Sequence, residues 1–329
     1  MIGPWYFKMR TYKIIFSLTL AVLLFQAVYA QTSMTQERGW KRFQVEIFGG
    51  FSFMNPADLN LRPEYDKQYL IDRKEFYEYY YPSVQQGIPS DEFRKVKSSF
   101  PYGFRFRYRL NQVFFLSLGL KYFSKNQTSE VSALFYDLGD RPYVLDYEYS
   151  PYSISTSAFS PFLGVHFSLG RSELVSFEVF LSGGPLFADC KYLIGIKQLY
   201  ARDNSVYQVN ETSYEIQGSS TGLSLDTGAR IDVGIKSGFK VFCEGGYSYQ
   251  IVKNLHGRGN FIYYTYQSLN TRVVSDALNW EGYWGVKETE AFAPFPSNDW
   301  EKEDPRVREF SLDLSGGFLR IGISFSFSL

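Results

Sequence analysis

The sequence predicts an all-β chain: an eight-stranded antiparallel up-and-down transmembrane β-barrel with long extracellular loops. Three observations carry this prediction. The last ten residues alternate, with Ile321, Ile323, Phe325, Phe327 and Leu329 on one face and Arg320, Gly322, Ser324, Ser326 and Ser328 on the other. That is the pattern of a strand with one face in lipid and one toward a polar interior. The same alternation recurs seven times upstream. Finally, the connections between these segments are short and long in turn, as expected for tight periplasmic turns and long outer loops. A soluble sandwich would also alternate. The connection lengths, and an even strand count that puts both chain ends on the short-turn side, favour the barrel.

In order along the chain, residues 1–30 read as a secretory signal. Lys8, Arg10 and Lys13 form a positive start, residues 14–25 an apolar run, and Val28-Tyr29-Ala30 a cleavage site before Gln31. The run is short for a spanning helix. The barrel domain is then expected over residues 31–329. The first strand carries Phe43, Val45, Ile47, Phe51 and Phe53 opposite Gln44, Glu46 and Ser52. The second carries Phe100, Tyr102, Phe104, Phe106 and Tyr108 opposite Arg105, Arg107 and Arg109. The third alternates Phe114, Leu116, Leu118, Leu120 and Tyr122 with Ser117, Gly119 and Lys121. The fourth alternates Leu163, Val165, Phe167 and Leu169 with Gly164, His166 and Ser168. The fifth sets Val175, Phe177, Val179 and Leu181 against Ser176, Glu178 and Ser182. The sixth sets Leu223, Leu225, Ala229, Ile231, Val233 and Ile235 against Asp226, Arg230 and Asp232. The seventh sets Phe239, Val241, Cys243, Tyr247 and Tyr249 against Lys240, Glu244 and Ser248, and the tail is the eighth.

Short turns fall at residues 110–112, 169–172 and 236–238. Long connections are expected at 55–98, 125–151, 188–220 and 252–308. The apolar parity changes near Ser160-Pro161 and again at Gly316-Gly317, where bulges or bends are expected. Cys190 and Cys243 fall on non-neighbouring strands, so the chain is no disulfide scaffold.

The minority face defines the interior. Glu46, Arg105, Arg107, Arg109, Lys121, Glu178, Asp226, Arg230, Asp232, Lys240, Glu244 and Arg320 are expected to point inward. An eight-stranded barrel is just wide enough to be filled by side chains. These charges must therefore pair, and a packed lumen network follows rather than an open channel.

Composition excludes other classes. Aromatic residues make up 19%, with 31 Phe and 27 Tyr, and 34 basic residues balance 34 acidic ones. Mean hydropathy is −0.22, which excludes a polytopic helical membrane protein. No concentrated basic surface points to nucleic acid.

On these residues the chain resembles the outer-membrane β-barrels of Gram-negative bacteria, notably the OmpA-transmembrane-domain and OmpX type. Its aromatic, long-looped style resembles the PorT-like barrels of Bacteroidetes. The resemblance covers about residues 42–329 and implies fold and an outer-membrane location more than activity. One motif is more specific: Arg320-x-Gly322-x-x-Phe325-x-Phe327 is similar to the assembly signal of these families. The signal usually ends at its second hydrophobic residue, and here Ser328 and Leu329 follow. The implied partners are outer-membrane lipid, lipopolysaccharide and the barrel assembly machinery.

For chemistry, only His166 and His256 are available. His166 is expected to face the lumen as a structural member and His256 to lie in a solvated loop, so no catalytic residue is assigned. Carboxylate pairs such as Asp137 with Asp140, Glu288 with Glu290, and the Asp203-Asn204 step lack metal-site spacing. No metal and no cofactor is expected. Aromatic clusters stand out at residues 62–81 (Tyr65, Tyr69, Phe76, Tyr77, Tyr79, Tyr80, Tyr81) and 261–300 (Phe261, Tyr263, Tyr264, Tyr266, Trp280, Tyr283, Trp284, Trp300). They read either as recognition surfaces or as rings that pack the loops together. The expected role is a non-enzymatic outer-membrane barrel whose loops bind a protein or glycan partner, or which assists secretion or assembly. The alternatives are a lipid-modifying enzyme using a histidine and a conduit for small or hydrophobic solutes.

Overall fold

The computed structural model describes residues 42–54, 56, 58–80, 84–87, 94–137, 143–171, 174–202, 205–236, 238–268, 271–287, 293–294 and 307–327. The expected signal segment lies outside them. Among the described residues there are fifteen strands and one helix: β1 (Phe43–Phe53), α1 (Leu61–Tyr80), β2 (Val84–Gly87), β3 (Ser98–Ser99), β4 (Tyr102–Arg109), β5 (Phe114–Asp137), β6 (Tyr143–Arg171), β7 (Val175–Arg202), β8 (Ser205–Lys236), β9 (Phe239–Lys253), β10 (His256–Ser268), β11 (Thr271–Lys287), β12 (Ala293–Pro294), β13 (Val307–Glu309), β14 (Ser311–Asp313) and β15 (Gly316–Phe327).

Eight of them close a ring. Around it run β1, β4, β5, β6, β7, β8, β9 and β15, and β15 returns to β1. Every pair is antiparallel and neighbours in the ring follow chain order. The first and last strands of the ring meet at the short-turn rim, where Phe43 lies opposite Phe327 on one side and Tyr108 on the other. The tight turn between β4 and β5 is held by Asn111, whose side-chain oxygen accepts from the backbone N–H of Val113 (2.9 Å) and Phe114 (2.8 Å).

Two of the four expected long connections are strands instead. Residues 125–151 belong largely to β5 and β6, and residues 188–220 to β7 and β8, which run for 24 to 32 residues. A barrel strand crosses a membrane in about 9–11 residues. The remainder projects beyond it as an extension of the same wall. The hairpin of β10 and β11 adds to that wall, because β10 takes over from β9 as partner of β8 at His256 opposite Ser219. The handover is a β-bulge. Three steps on β8, from Gly222 to Ser219, face four on the other strand, from Val252 to His256. Asn254 takes the extra step at φ 55°, a left-handed conformation that asparagine tolerates better than most residues.

The expected bends at Ser160-Pro161 and Gly316-Gly317 are absent. The β5–β6 pairing runs in step from Phe162 opposite Gly119 to Phe159 opposite Tyr122. Likewise Asp313 opposite Ile251 and Gly316 opposite Ser248 keep one register. What changes at these points is the polarity of the interior. In the lower half the outer face is apolar and the lumen is charged. In the upper half the same parity that carried charge carries Ile154, Ala158, Leu312 and Leu314, all nearly fully buried.

The lower outer face forms a lipid belt. On β7 it spans residues 175–187, with Phe177, Leu181 and Phe187 exposed, and on β8 Leu223, Leu225, Ile231, Val233 and Ile235 are exposed. Aromatic rings edge the belt. Phe43, Tyr108, Phe327, Phe114, Phe167, Phe239 and Phe325 pair at the short-turn rim. Tyr102, Tyr122, Phe159 and Phe187 stand in register at the upper margin. Two such girdles around an apolar band are the outer surface of a membrane barrel.

Candidate functional site

The lumen of the lower half is filled by paired charges. Glu46 on β1 is completely buried and accepts from three arginines: Arg105 Nε at 2.7 Å, Arg107 Nη1 at 3.1 Å, and Arg230 through Nη1 at 2.9 Å and Nη2 at 2.7 Å. Glu244 accepts from Arg230 at 3.0 Å and also from Arg105. Glu178 takes the far end of Arg107. Asp232 accepts from Arg230 at 2.6 and 2.9 Å and from Ser176 at 3.1 Å. One layer higher, Asp226 accepts from Lys121 at 2.9 Å, Arg320 at 2.7 Å and Ser248 at 2.5 Å.

Five buried cations (Arg105, Arg107, Lys121, Arg230, Arg320) thus meet five buried carboxylates (Glu46, Glu178, Asp226, Asp232, Glu244). Such balance is what a low-dielectric interior requires, because a single unpaired charge there is strongly unfavourable. The guanidiniums also lie on ring faces, with Arg230 3.8 Å from the centroid of Phe242 and Arg320 3.9 Å from Phe318. Phe242 fits because Gly322 faces it. A Cβ at Gly322 would meet the Phe242 ring at 2.4 Å.

Two expected members lie nearer the short-turn rim. Arg109 lies at the rim and donates to the backbone oxygen of Asn111 at 3.1 Å. Lys240 is only partly buried, near the β8–β9 turn. His166 is fully buried, 3.5 Å from Glu178 and stacked on Phe180 with centroids 5.4 Å apart. Gln44, absent from the expected set, accepts from Arg107 at 3.2 Å.

Above the ionic layers an apolar plug closes the barrel. Met54, Phe123, Ile154, Leu186, Tyr192, Ile194 and Ile216 from the walls pack with Leu59 and Leu70 from the α1 region. Leu255, Trp284, Phe310, Leu312 and Leu314 join them from the returning chain. Where plug and network meet, a void of about 10 Å3 remains between Lys121, Phe123, Gln250, Leu314 and Arg320, room for about one water molecule. Helix α1 covers the plug. Asp66 on its buried face accepts from the Tyr192 hydroxyl at 3.4 Å. Asn60 ties the preceding turn to Val96 by two bonds of 2.8 and 2.9 Å.

The aromatic clusters divide between packing and exposure. Trp284 is buried, edge-on to Phe310 at 5.2 Å, and seated on Gly218, where a Cβ would come within 2.7 Å of its indole. Phe261 packs on Tyr214 at 4.8 Å, and the Tyr266 hydroxyl donates to Glu211 at 2.6 Å. Phe76 and Tyr79 on α1 and Tyr283 on β11 are exposed. Tyr65 and Tyr69 are partly buried. Tyr81, Trp300, Asp140, Asp203, Asn204, Glu288 and Glu290, and the side chains of Tyr77, Tyr80, Asp137 and Trp280, lie outside the described residues. Among the described residues no group of His, Cys, Asp or Glu is arranged to hold a metal ion. Cys190 and Cys243 are both free.

The assembly-signal residues Phe325 and Phe327 are exposed on the lipid face of β15, while Arg320 and Gly322 face inward. Sequence reasoning misses the plug. Its signal is the reversed parity of Ile154, Leu312 and Leu314, which in sequence alone has the look of a bend.

No family model matches the chain, and no curated protein matches it. Among solved structures it is similar to a major outer membrane protein from Thermus thermophilus (11% identity over 87% of this chain and 98% of that one, TM-score 0.30). It is also similar to the outer membrane protein OprG from Pseudomonas aeruginosa (10% identity, 89% and 100%, TM-score 0.32). A third is the outer membrane protease OmpT from Escherichia coli (8% identity, 89% and 99%, TM-score 0.25). The eight-strand ring, with its girdled apolar belt, gives this chain the fold of an outer-membrane β-barrel.

Proposed function

We propose that this chain is a non-enzymatic outer-membrane protein in which the barrel is an anchor and the projecting extension is the working part. The observation that carries this reading is the reversal of polarity along single strands. Below the upper girdle the wall has a polar inside and an apolar outside. Above it the wall has an apolar inside and a polar outside, as a water-exposed domain does. A lumen filled by ion pairs and then by a plug favours an anchor over a conduit. His166 is sealed in that lumen, which favours a structural role over catalysis.

On this reading the extension and the exposed rings of α1 bind an extracellular partner or ligand, or help a secretion or assembly system, as the resemblance to PorT-like barrels implies. The reading also includes insertion by the barrel assembly machinery through the terminal strand. Two measurements on the full chain test it. Cysteines placed at Gln68 and Ser219 are expected to react with a membrane-impermeant maleimide on intact cells. Purified barrel in planar bilayers is expected to show no steady conductance. Labelling only after cell disruption, or a large stable current, would overturn it.

A further inference from the structure

The outer flank of the extension carries an array of polar side chains directly above the upper girdle. Strand pairing sets them in rows. Asp189, Ser219, His256 and Tyr283 form the row nearest the membrane. Lys191, Gln217, Arg258 and Glu281 form the next, and Glu215, Asn260 and Asn279 follow. Odd-numbered residues of β8 face outward, so this array continues the face that bears Leu223 and Leu225 in the belt. Ser219 lies two residues above Thr221, which pairs with the girdle residue Phe187. At about 3.3 Å per residue the rows stand roughly 7, 13 and 20 Å above that girdle along the strand.

The array lines an open hollow of about 570 Å3 between Glu215, Gln217, Arg258, Asn260, Asn279 and Glu281. Gln217, Arg258 and Glu281 also line a second hollow, of about 400 Å3, that reaches Asp189, Ser219 and His256. Lys191 is paired with Glu215 at 2.5 Å. The side chains of Gln217, Arg258, Asn260, Asn279 and Glu281 make no hydrogen bond or ion pair with any described residue, although Arg258 stands opposite both Gln217 and Glu281. His256 lines the second hollow, and Tyr283, outside both, stands edge-on to it at 5.0 Å.

We propose that this hollow binds a saccharide, the sugar head group of a glycolipid in the outer leaflet beside the barrel. Planar amides, a guanidinium and a carboxylate present paired donors and acceptors, which match the vicinal hydroxyls of a sugar ring. Mixed charge argues against a purely phosphate ligand, which would want cations alone. The lateral position is what selects the leaflet. A site on the barrel's side, within about 20 Å of the hydrocarbon edge, meets what stands on the membrane surface before it meets anything free in solution. The hollow is built on paired strands, so the backbone positions that present its groups are fixed by the strand register.

The inference rests on the outward placement of the extension, which the cell-surface labelling above checks separately. The test uses the full chain in nanodiscs and native mass spectrometry. The probes are lipopolysaccharide bearing its core oligosaccharide, lipid A without core sugars, and the lipid-free core oligosaccharide. Core-bearing lipopolysaccharide is expected to bind about tenfold more tightly than lipid A, and the double variant Arg258→Ala with Asn279→Ala to lose about that factor. Gln68→Ala on α1 is expected to bind as the parent does. Free oligosaccharide bound as tightly as the lipid-linked form would assign the sugar to a soluble glycan, and weaker binding would assign it to the leaflet. Equal binding of lipid A and core-bearing lipopolysaccharide, or an unchanged affinity in a double variant that still folds by heat-modifiability, overturns the proposal.

Discussion

Arg230 and Glu46 meet across the lumen in a two-pronged contact, Nη1 on one carboxylate oxygen at 2.9 Å and Nη2 on the other at 2.7 Å. They come from β8 and β1, which are separated around the ring by β9 and β15. The contact therefore braces the wall across the barrel's width, where backbone pairing cannot reach.

Breaking that brace from one side should be costly. Glu46→Gln leaves three arginines facing a neutral amide in a sealed interior. The expected loss is about 3–5 kcal/mol of unfolding free energy, read from urea unfolding in lipid vesicles. A loss below about 1 kcal/mol would show that the network is more hydrated than its burial indicates.

The margin of the belt can be located by substitution. Ile231→Arg, deep on the lipid face, is expected to cost about 2–4 kcal/mol, while Gln217→Arg, above the girdle on the same strand and face, is expected to cost near zero. Equal costs would mean that the membrane does not end where the aromatic residues do.

The plug should respond to loss of the Trp284 indole. Trp284→Ala is expected to remove about 3–5 kcal/mol from the local stability of the extension. Gly218→Val is expected to expel the ring, giving a red-shifted tryptophan emission and faster proteolysis of the β10–β11 hairpin. Heat-modifiability of the barrel should survive both changes, because the ionic layers and the belt lie below the plug.

The two thiols should behave differently. Burial pushes the Cys190 thiol up to about 12, so at pH 8 only about one part in ten thousand is thiolate. It is expected to stay unmodified by maleimide in the folded protein and to react after unfolding. Its reactivity should rise with pH, because the thiolate fraction grows tenfold per unit below the pKa. Cys243 faces lipid between Ile231 and Ile321. It is expected to resist a charged thiol reagent in vesicles, whereas a cysteine at Ser219 is expected to react.

Phe327→Ala should separate assembly from stability. If the terminal strand is read during insertion, cells are expected to accumulate several-fold less folded barrel. Spontaneous folding of the same variant in detergent should be almost unchanged, because Phe327 is already half exposed at the rim.

The eight membrane strands are legible in the sequence because lipid enforces a strict two-residue period, and each charge on the minor parity has to face inward. The upper half is harder to read. Residues 153–157, with Ser153, Ser155 and Ser157 alternating against Ile154 and Thr156, carry a period as regular as that of the belt but with its sense reversed. Periodicity reports that two faces differ and not which one points inward, so a change of environment around a straight strand mimics a bend. The bulge at Asn254 leaves little trace, because a single extra residue between two short alternating runs resembles the end of one strand. The polar array is hidden for another reason. Arg258 and Glu281 become neighbours only through the hairpin register.

The reversal at the upper girdle also fixes how deep the molecule sits. Lowering it by two residues, about 7 Å along a strand, would draw Ser157, Asp189 and Ser219 into hydrocarbon. Raising it by the same step would lift Tyr122, Phe159 and Phe187 clear of the interface. Either displacement acts on several strands at once, so the cost climbs steeply in both directions. A barrel with a uniform outer face could bob with local changes in bilayer thickness. This one is a float with a waterline cut into its wall, and whatever its flank meets, it meets at a fixed height.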